Sequence, residues 1–264
     1  ESLMSQPDTT DLHVNTLLSN ISIAHFNDMN AYIADKVFPI VYVPKQSDIY
    51  PVYTRGDFFP DEGENMIRAP GTRASRTGFT VNTTNTYRCV NFALGAGISD
   101  ELRANADSVF HLDDDFTRLL VEGMMIRRER AWAADFMTTG VWGTSNTTAT
   151  DWDDYGASDP MQDIRTAKRT VRQATGRRPN IMVMGEIVWD ALIDHPDFLD
   201  RIKYSAGPGR PAMVTKELVA QLLELDAIYV ASALYRSSDE GATLTLADII
   251  DDDALLLYVP AGPS

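Results

Sequence analysis

Hydrophobic residues are unevenly spread along this chain. Up to about Asp35 the sequence is polar with scattered apolar residues and no sustained period, which predicts an arm lying on other surfaces rather than a core element. Val37 to Lys45 (VFPIVYVPK) is β-branched and aromatic, but Pro39 and Pro44 cannot donate ladder hydrogen bonds, so an edge strand or extended arm is expected there. From Gln46 to about Gly78 the chain is rich in Gly, Pro, Asp and Arg. Phe79, Val81, Thr83 and Asn85 then alternate with polar partners before Tyr87, Cys89 and Val90. The pattern predicts two long strands between Tyr50 and about Ala93, joined by a wide polar loop. A structureless loop of that size is unusual inside a compact domain, so an extended hairpin projecting towards a neighbour is expected.

Helical spacing is clearest from about Asp113 to Thr138. Asp113, Asp114 and Asp115 open it, where the helix dipole favours carboxylates, and Phe116, Leu119, Leu120 and Met124 recur at helical intervals. Arg127, Arg128, Glu129 and Arg130 form a charged later stretch, and Gly140 is the expected breaker. A helix this long would act as a spine. After a Thr/Asp/Gly linker over 141–158 the pattern becomes α+β. Asp159 and Pro160 make an N-cap and first turn, Ile164, Ala167, Val171 and Ala174 a stripe, and Gly176 with Pro179 an end. Arg165, Lys168, Arg169 and Arg172 occupy its other faces, with Arg177 and Arg178 just beyond. Asn180–Met184 reads as a buried strand, Glu186–Leu192 and Thr215–Leu225 as helices, and Ile228–Ala231 and Leu255–Val259 as strands.

Composition narrows the classes. The chain has 264 residues, a net charge of -15 and one cysteine, Cys89, which excludes an internal disulfide and a Cys-rich metal site. Nucleic-acid affinity needs clustered Lys and Arg, which this acidic balance opposes. No apolar run approaches the roughly 18–20 residues a membrane-spanning helix requires. Glu1 to Thr10 lacks signal-peptide architecture, so secretion is not expected. Aspartate outnumbers glutamate 28 to 10, and arginine outnumbers lysine 18 to 5. Between Lys45 and Lys168 there is no lysine at all.

Candidate chemistry is sparse. His195 lies in Asp194-His195-Pro196; a base oriented by a neighbouring aspartate is one reading, a turn or helix-end histidine the preferred one. There is no Gly-x-Ser-x-Gly elbow, His-Glu-x-x-His or phosphate-binding Gly-Lys-Ser/Thr loop. Gly95-Ala96-Gly97 is followed by Asp100 where a dinucleotide fingerprint needs glycine. Asp151 to Gly156 matches three positions of a calcium loop, but Gln162 stands where the bidentate glutamate belongs, so a solvated linker is expected. No catalytic, cofactor-binding or metal residue is assigned. Arm, hairpin and spine bury little against their own chain, which favours a structural subunit with intermolecular partners over an enzyme.

An ordered series of segments resembles the major capsid proteins of tailed bacteriophages. It runs through Phe38-Pro39-Ile40-Val41, Pro44 to Asp48, Arg55-Gly56-Asp57-Phe58-Phe59, Arg103 to Asp107 and Arg127-Arg128-Glu129 with Trp132-Ala133. It continues through Thr138 to Gly143, Ser158-Asp159-Pro160, Ala174-Thr175-Gly176, Pro179-Asn180, Trp189 to Leu192, His195-Pro196 and Asp200 to Tyr204. The resemblance is collinear from Val37 to Pro260 and is carried by the order of the segments rather than by any one of them.

It implies the α+β tailed-phage capsid fold, shared with encapsulins. The expected parts are an N-terminal arm (1–45), an extended β-hairpin loop (46–95), a peripheral domain (96–157) with the spine helix at 113–138, an axial domain (158–253), and a return strand to the peripheral domain (254–264). The implied function is a non-enzymatic subunit that self-assembles through hexamers and pentamers into an icosahedral virion shell. That shell would enclose double-stranded DNA without sequence-specific binding, with a portal and scaffolding or decoration proteins as partners, no membrane and no cofactor. Arg55, Arg68, Arg73, Arg76, Arg127 and Arg128 are the candidate inter-subunit contacts. Some members of the family weld their shells through a lysine of the extended loop, and this loop has none, so a non-covalent shell is expected. Members usually continue with another strand beyond the position matching Ser264, so the chain is expected to be C-terminally incomplete. The alternatives are an encapsulin-like compartment and a cytosolic enzyme using His195.

Overall fold

The computed structural model describes residues 26–59, 66–106, 111–145, 150–206 and 214–260. The expected arm before residue 26, with His13, His25 and Asn20, lies outside them. The chain divides into two compact units, one of residues 41–93 and one comprising the remainder.

The 41–93 unit is an interrupted antiparallel hairpin. Strand β1 (Ser47–Ile49) pairs with β4 (Thr86–Arg88), and β2 (Val52–Tyr53) with β3 (Val81–Asn82). Tyr50 N donates to Asn85 O at 3.0 Å, carrying the ladder across the gap, and Pro51, which has no N–H, breaks it. Four short strands therefore replace the two long ones expected. Beyond β2, a 3₁₀ turn at Arg55–Phe58 brings Tyr53, Phe58 and Phe79 together, with ring centroids 5.5–6.3 Å apart. Every strand residue except Tyr87 is exposed. A two-stranded ribbon with so little burial is marginal alone.

The other unit is built on a three-stranded sheet of order β6-β5-β9. Its central strand β5 (Ile181–Gly185) is parallel to β6 (Ala227–Ala231) and antiparallel to β9 (Ala254–Leu257). All five β5 residues are buried, because both sheet faces are covered. Met182 and Met184 face one core with Met161, Ile164, Val188, Leu192, Phe198, Val219 and Leu223. Those residues come from α4 (Pro160–Thr175), α5 (Glu186–Asp194), α6 (Pro196–Ala206) and α7 (Lys216–Leu222), with Leu223 as the C-cap of α7. Ile181 and Val183 point the other way, towards Ile33, Val37, Trp132 and Leu257. That second core is supplied by α1 (Ala34–Val37) and the spine α3 (Leu112–Phe136), while α2 (Asp100–Asn105) packs Leu102 on Leu112. The mixed helix–sheet class is as expected.

Local chemistry sets the helix ends. Asp159 accepts from Gln162 N at the start of α4, and Gly176 ends it at φ 73°, where a side chain would be strained. Thr215 caps α7 in the same way as Asp159 caps α4. At 25 residues, α3 is about 38 Å long.

Two expectations are corrected. Residues 31–37 are not a surface arm: Ala31, Tyr32, Ile33, Ala34 and Val37 are all buried, because their side chains close the second core. The strand at 254–257 does not return to a separate sheet. Its register with β5 (Ile181↔Leu257, Val183↔Leu255) places Leu255 and Leu257 on the same face as Ile181 and Val183, completing that sheet. The spine is helical as its spacing predicts, with its burial concentrated at the ends. Leu119 and Met124 are exposed, whereas Leu112, Glu129 and Trp132 are buried, because the contacts are made at the helix's two ends. Helix α6 and the small antiparallel pair β7 (Leu234–Arg236) and β8 (Leu246–Asp248) complete the unit.

Candidate assembly surfaces

A carboxylate clamp fixes the point where the N-terminal segment joins the spine. Glu122 and Glu129 are seven residues apart, hence on one side of α3. Glu129 is 1% exposed, and its two oxygens accept the backbone N–H groups of Ile33 and Ala34, each at 3.0 Å. Burial pushes its carboxyl pKa up, against the two N–H bonds and Arg128, which pull it down, while Asp35 adds to the rise. Glu122 Oε1 accepts the Tyr32 hydroxyl at 2.6 Å and Asn27 N at 3.1 Å. Burial and that bond raise Tyr32 to about 12, so it stays a donor. Asn27 also exchanges hydrogen bonds with the backbone of Leu234, tying the segment to β7. In the sequence Glu129 is one member of the charged stretch Arg127–Arg130, which does not mark it as buried. The available signal was its place beside Trp132 in a chain with few glutamates.

Past this anchor the chain is exposed and apolar: Ile40, Val41, Tyr42 and Val43 lie on the surface, Tyr42 at 91%. On the hairpin, Ile49, Val52, Phe59, Met66 and Ile67 are also exposed. These residues have the composition of an interface rather than of a solvated loop.

The arginines singled out by sequence divide. Arg55, Arg68, Arg73 and Arg76 are exposed on the hairpin unit and form no ion pair among the described residues. Arg127 is exposed on α3. Arg128 pairs with Asp35 of its own chain, so its charge is already engaged in holding α1 to the spine.

His195 is a buried junction between α5 and α6, 1% exposed. Asp197 N donates to its Nδ1 at 3.2 Å, which leaves the ring proton on Nε2, facing Ser158 Oγ at 3.2 Å. Ser158 in turn donates to Asp154 O at 2.8 Å. A general base would need to accept the serine proton, and here the relay runs the opposite way. Asp194, the expected orienting partner, is not in this chain of bonds; Asp197 Oδ2 lies 3.6 Å from Nδ1. Tyr155 meets the ring edge-on at 5.8 Å. The Asp151–Gly156 stretch thus folds as a turn around the histidine. No cluster of three or more potential metal ligands occurs among the described residues.

An open cleft of about 460 Å³ lies between the end of α3 and the 248–253 turn, lined by Arg130, Met137, Thr138, Tyr235, Asp251 and Asp253. The Arg130 guanidinium sits 4.3 Å from the Tyr235 ring centroid. Burial raises Asp253, with Asp252 and Asp251 adding like charge. The cleft holds no nucleophile–base pair. No helix among the described residues is long and apolar enough to cross a membrane.

The family model described as phage major capsid protein E matches residues 131–263. The major capsid protein of Burkholderia phage BcepMu is 26% identical over 251 residues, covering 94% of this chain and 76% of that protein. A crystal structure of a phage-related protein from Bordetella bronchiseptica RB50 shares the fold at a TM-score of 0.64 and 22% identity, over 90% of this chain and 75% of that one. The capsid of Cyanophage P-SCSP1u aligns at a TM-score of 0.48 and 13% identity, over 97% of this chain and 80% of that one.

Proposed function

The chain belongs to the phage major capsid protein E family, and from that membership we propose how it builds the virion shell of which it is a structural subunit. The observation that carries the proposal is the family match over 131–263, the stretch that supplies the sheet and the helices α4–α7. The exposed apolar run at 40–43 and the weakly buried hairpin are the elements that would gain most from a neighbouring subunit.

Residues 46–95, most of which lie in the 41–93 unit, act as the extended loop and lie over an adjacent subunit, with Arg55, Arg68, Arg73 and Arg76 pairing with its carboxylates. The spine and the N-terminal anchor form the peripheral part, and residues 158–253 the axial part. Isolated exposed pairs contribute about 0–1 kcal/mol each, but a closed shell repeats them in every subunit. Welding is non-covalent, since no lysine lies between Lys45 and Lys168. The subunit is not an enzyme, a reading supported by the direction of the His195 relay. A portal and scaffolding or decoration proteins are its partners, and the net charge of -15 suits a wall that packaged DNA does not adhere to.

Electron microscopy of the purified protein tests the reading: regular closed shells are expected, and a monodisperse monomer under every assembly condition refutes it. Double-stranded DNA inside particles from infected cells supports the phage shell. Protein cargo with no DNA would instead make it an encapsulin-like compartment.

A further inference from the structure

The sheet's helical face carries two charged stripes that form no ion pair among the described residues. On α4, Arg165, Arg169 and Arg172 are exposed and fall on one side of the helix at spacings of four and three. None of the three forms an ion pair among the described residues. Lys168, on the same helix, instead turns inward to Leu223 O and Glu224. On α5, Glu186, Asp190 and Asp194 are exposed at intervals of four and likewise pair with no cation among the described residues. At 1.5 Å per residue the basic stripe spans about 10 Å and the acidic one about 12 Å, so their lengths match.

Position keeps them apart within one copy. Helix α4 lies over the edge strand β9, α5 lies over β5 and β6, and α6 packs against both. The two stripes therefore lie on different helices of the same sheet face.

We propose that the Arg165–Arg169–Arg172 stripe of one subunit docks on the Glu186–Asp190–Asp194 stripe of a second copy of this chain. The contact is head-to-tail: different patches meet, and each copy keeps one of each for the next neighbour. Such contacts close into rings when the rotation per subunit permits. In a chain with net charge -15, approach between copies is repulsive over most surfaces, so a basic stripe also sets the orientation of encounter. A nucleic-acid backbone is the poorer partner, because three arginines on a helix that also carries Asp163, with Glu224 beside its Lys168, make a weak phosphate track. The inference rests on the reading of the chain as a shell subunit.

Charge reversal tests it. The triple variant Arg165→Glu, Arg169→Glu, Arg172→Glu and the triple variant Glu186→Arg, Asp190→Arg, Asp194→Arg are each expected to lower particle yield by at least about tenfold. The chain carrying all six changes regains complementarity and is expected to recover most of that yield. Sedimentation measures particles, and circular dichroism of the dissociated subunit confirms folding. If a triple variant fails to fold, Arg169→Glu, Asp190→Arg and their combination give the same three-way comparison. Wild-type assembly should also weaken as salt is raised towards 1 M, where screening falls to about 3 Å. Wild-type yield from either folded triple, or no recovery in the folded six-fold variant, overturns the pairing while leaving the shell reading intact. Particles formed normally by the arginine variant but depleted of DNA overturn it in favour of a nucleic-acid contact. Failure of the wild type itself to assemble refutes the shell reading, and the pairing with it.

Discussion

Glu129 offers the sharpest single test of how the spine holds the N-terminal segment. Replacing it with Ala leaves the N–H groups of Ile33 and Ala34 without acceptors in a buried site. Each orphaned N–H costs about 1–3 kcal/mol; since the carboxylate's own burial is unfavourable and is relieved by its removal, the net loss is about 2–4 kcal/mol. Glu129→Gln keeps one acceptor oxygen and turns an NH₂ towards the other N–H, for a loss of about 1–2 kcal/mol. Urea unfolding of dissociated subunits, followed by tryptophan fluorescence, measures the global effect, and hydrogen exchange at the Ile33 and Ala34 amides measures the local one. A loss of about 2 kcal/mol corresponds to roughly thirtyfold faster exchange at those amides.

The raised pKa fixes the sign of the pH dependence. The native carboxyl holds its proton more tightly than the unfolded one. Its contribution is therefore complete below the ordinary value of 4.5 and is lost as pH rises through the folded value. Glu129→Gln should remove that downward slope. If Glu129→Ala stays within about 0.5 kcal/mol of wild type, the range of ordinary surface changes, and both amides remain protected, the clamp is not what holds the segment.

Other tests reach different parts of the chain. A β-carbon at Gly185 would sit 1.7 Å from Asp251 O, a backbone atom that cannot swing aside, so Gly185→Ala should cost about 3 kcal/mol or more in thermal or urea unfolding. His195→Ala removes a buried ring bonded to Asp197 N and facing Ser158, and should cost about 2–4 kcal/mol in unfolding; unchanged stability would contradict the structural role. Shells boiled in denaturing detergent should run as monomers on gels, and ladders would sink the non-covalent reading. Deleting Gly63–Thr77, whose first three residues lie outside the described stretch, should leave a folded subunit that fails to close shells when imaged by electron microscopy.

Several local signals were sufficient to locate elements. Asp159-Pro160 with Gly176 delimited α4, the three aspartates at 113–115 marked the start of the spine, and the unbroken apolar run at 181–184 was β5. His195 is a helix-end residue, as expected, and closes α5. Pro196 opens α6, since proline is welcome in a first helical turn. The carboxylate clamp could not be located from spacing alone, because its acceptors lie on α3 and its donors about 95 residues earlier.

By itself, the sequence determined what adjacent residues can enforce: caps, breaks, strand alternation and an acidic charge balance. The collinear order of its segments also carried the family. Tertiary structure decided which of those elements are core. Residues 31–37 have no helical or strand period, yet they are buried because β5 needs a second face covered. Leu255–Leu257 could pair with any open edge, and the match of their alternating side chains to Ile181 and Val183 selected β5. Arg128 became an internal tie, whereas Arg165, Arg169 and Arg172 stayed exposed. A charged residue has the same local appearance in either role, and only long-range packing decides whether an opposite charge lies within reach.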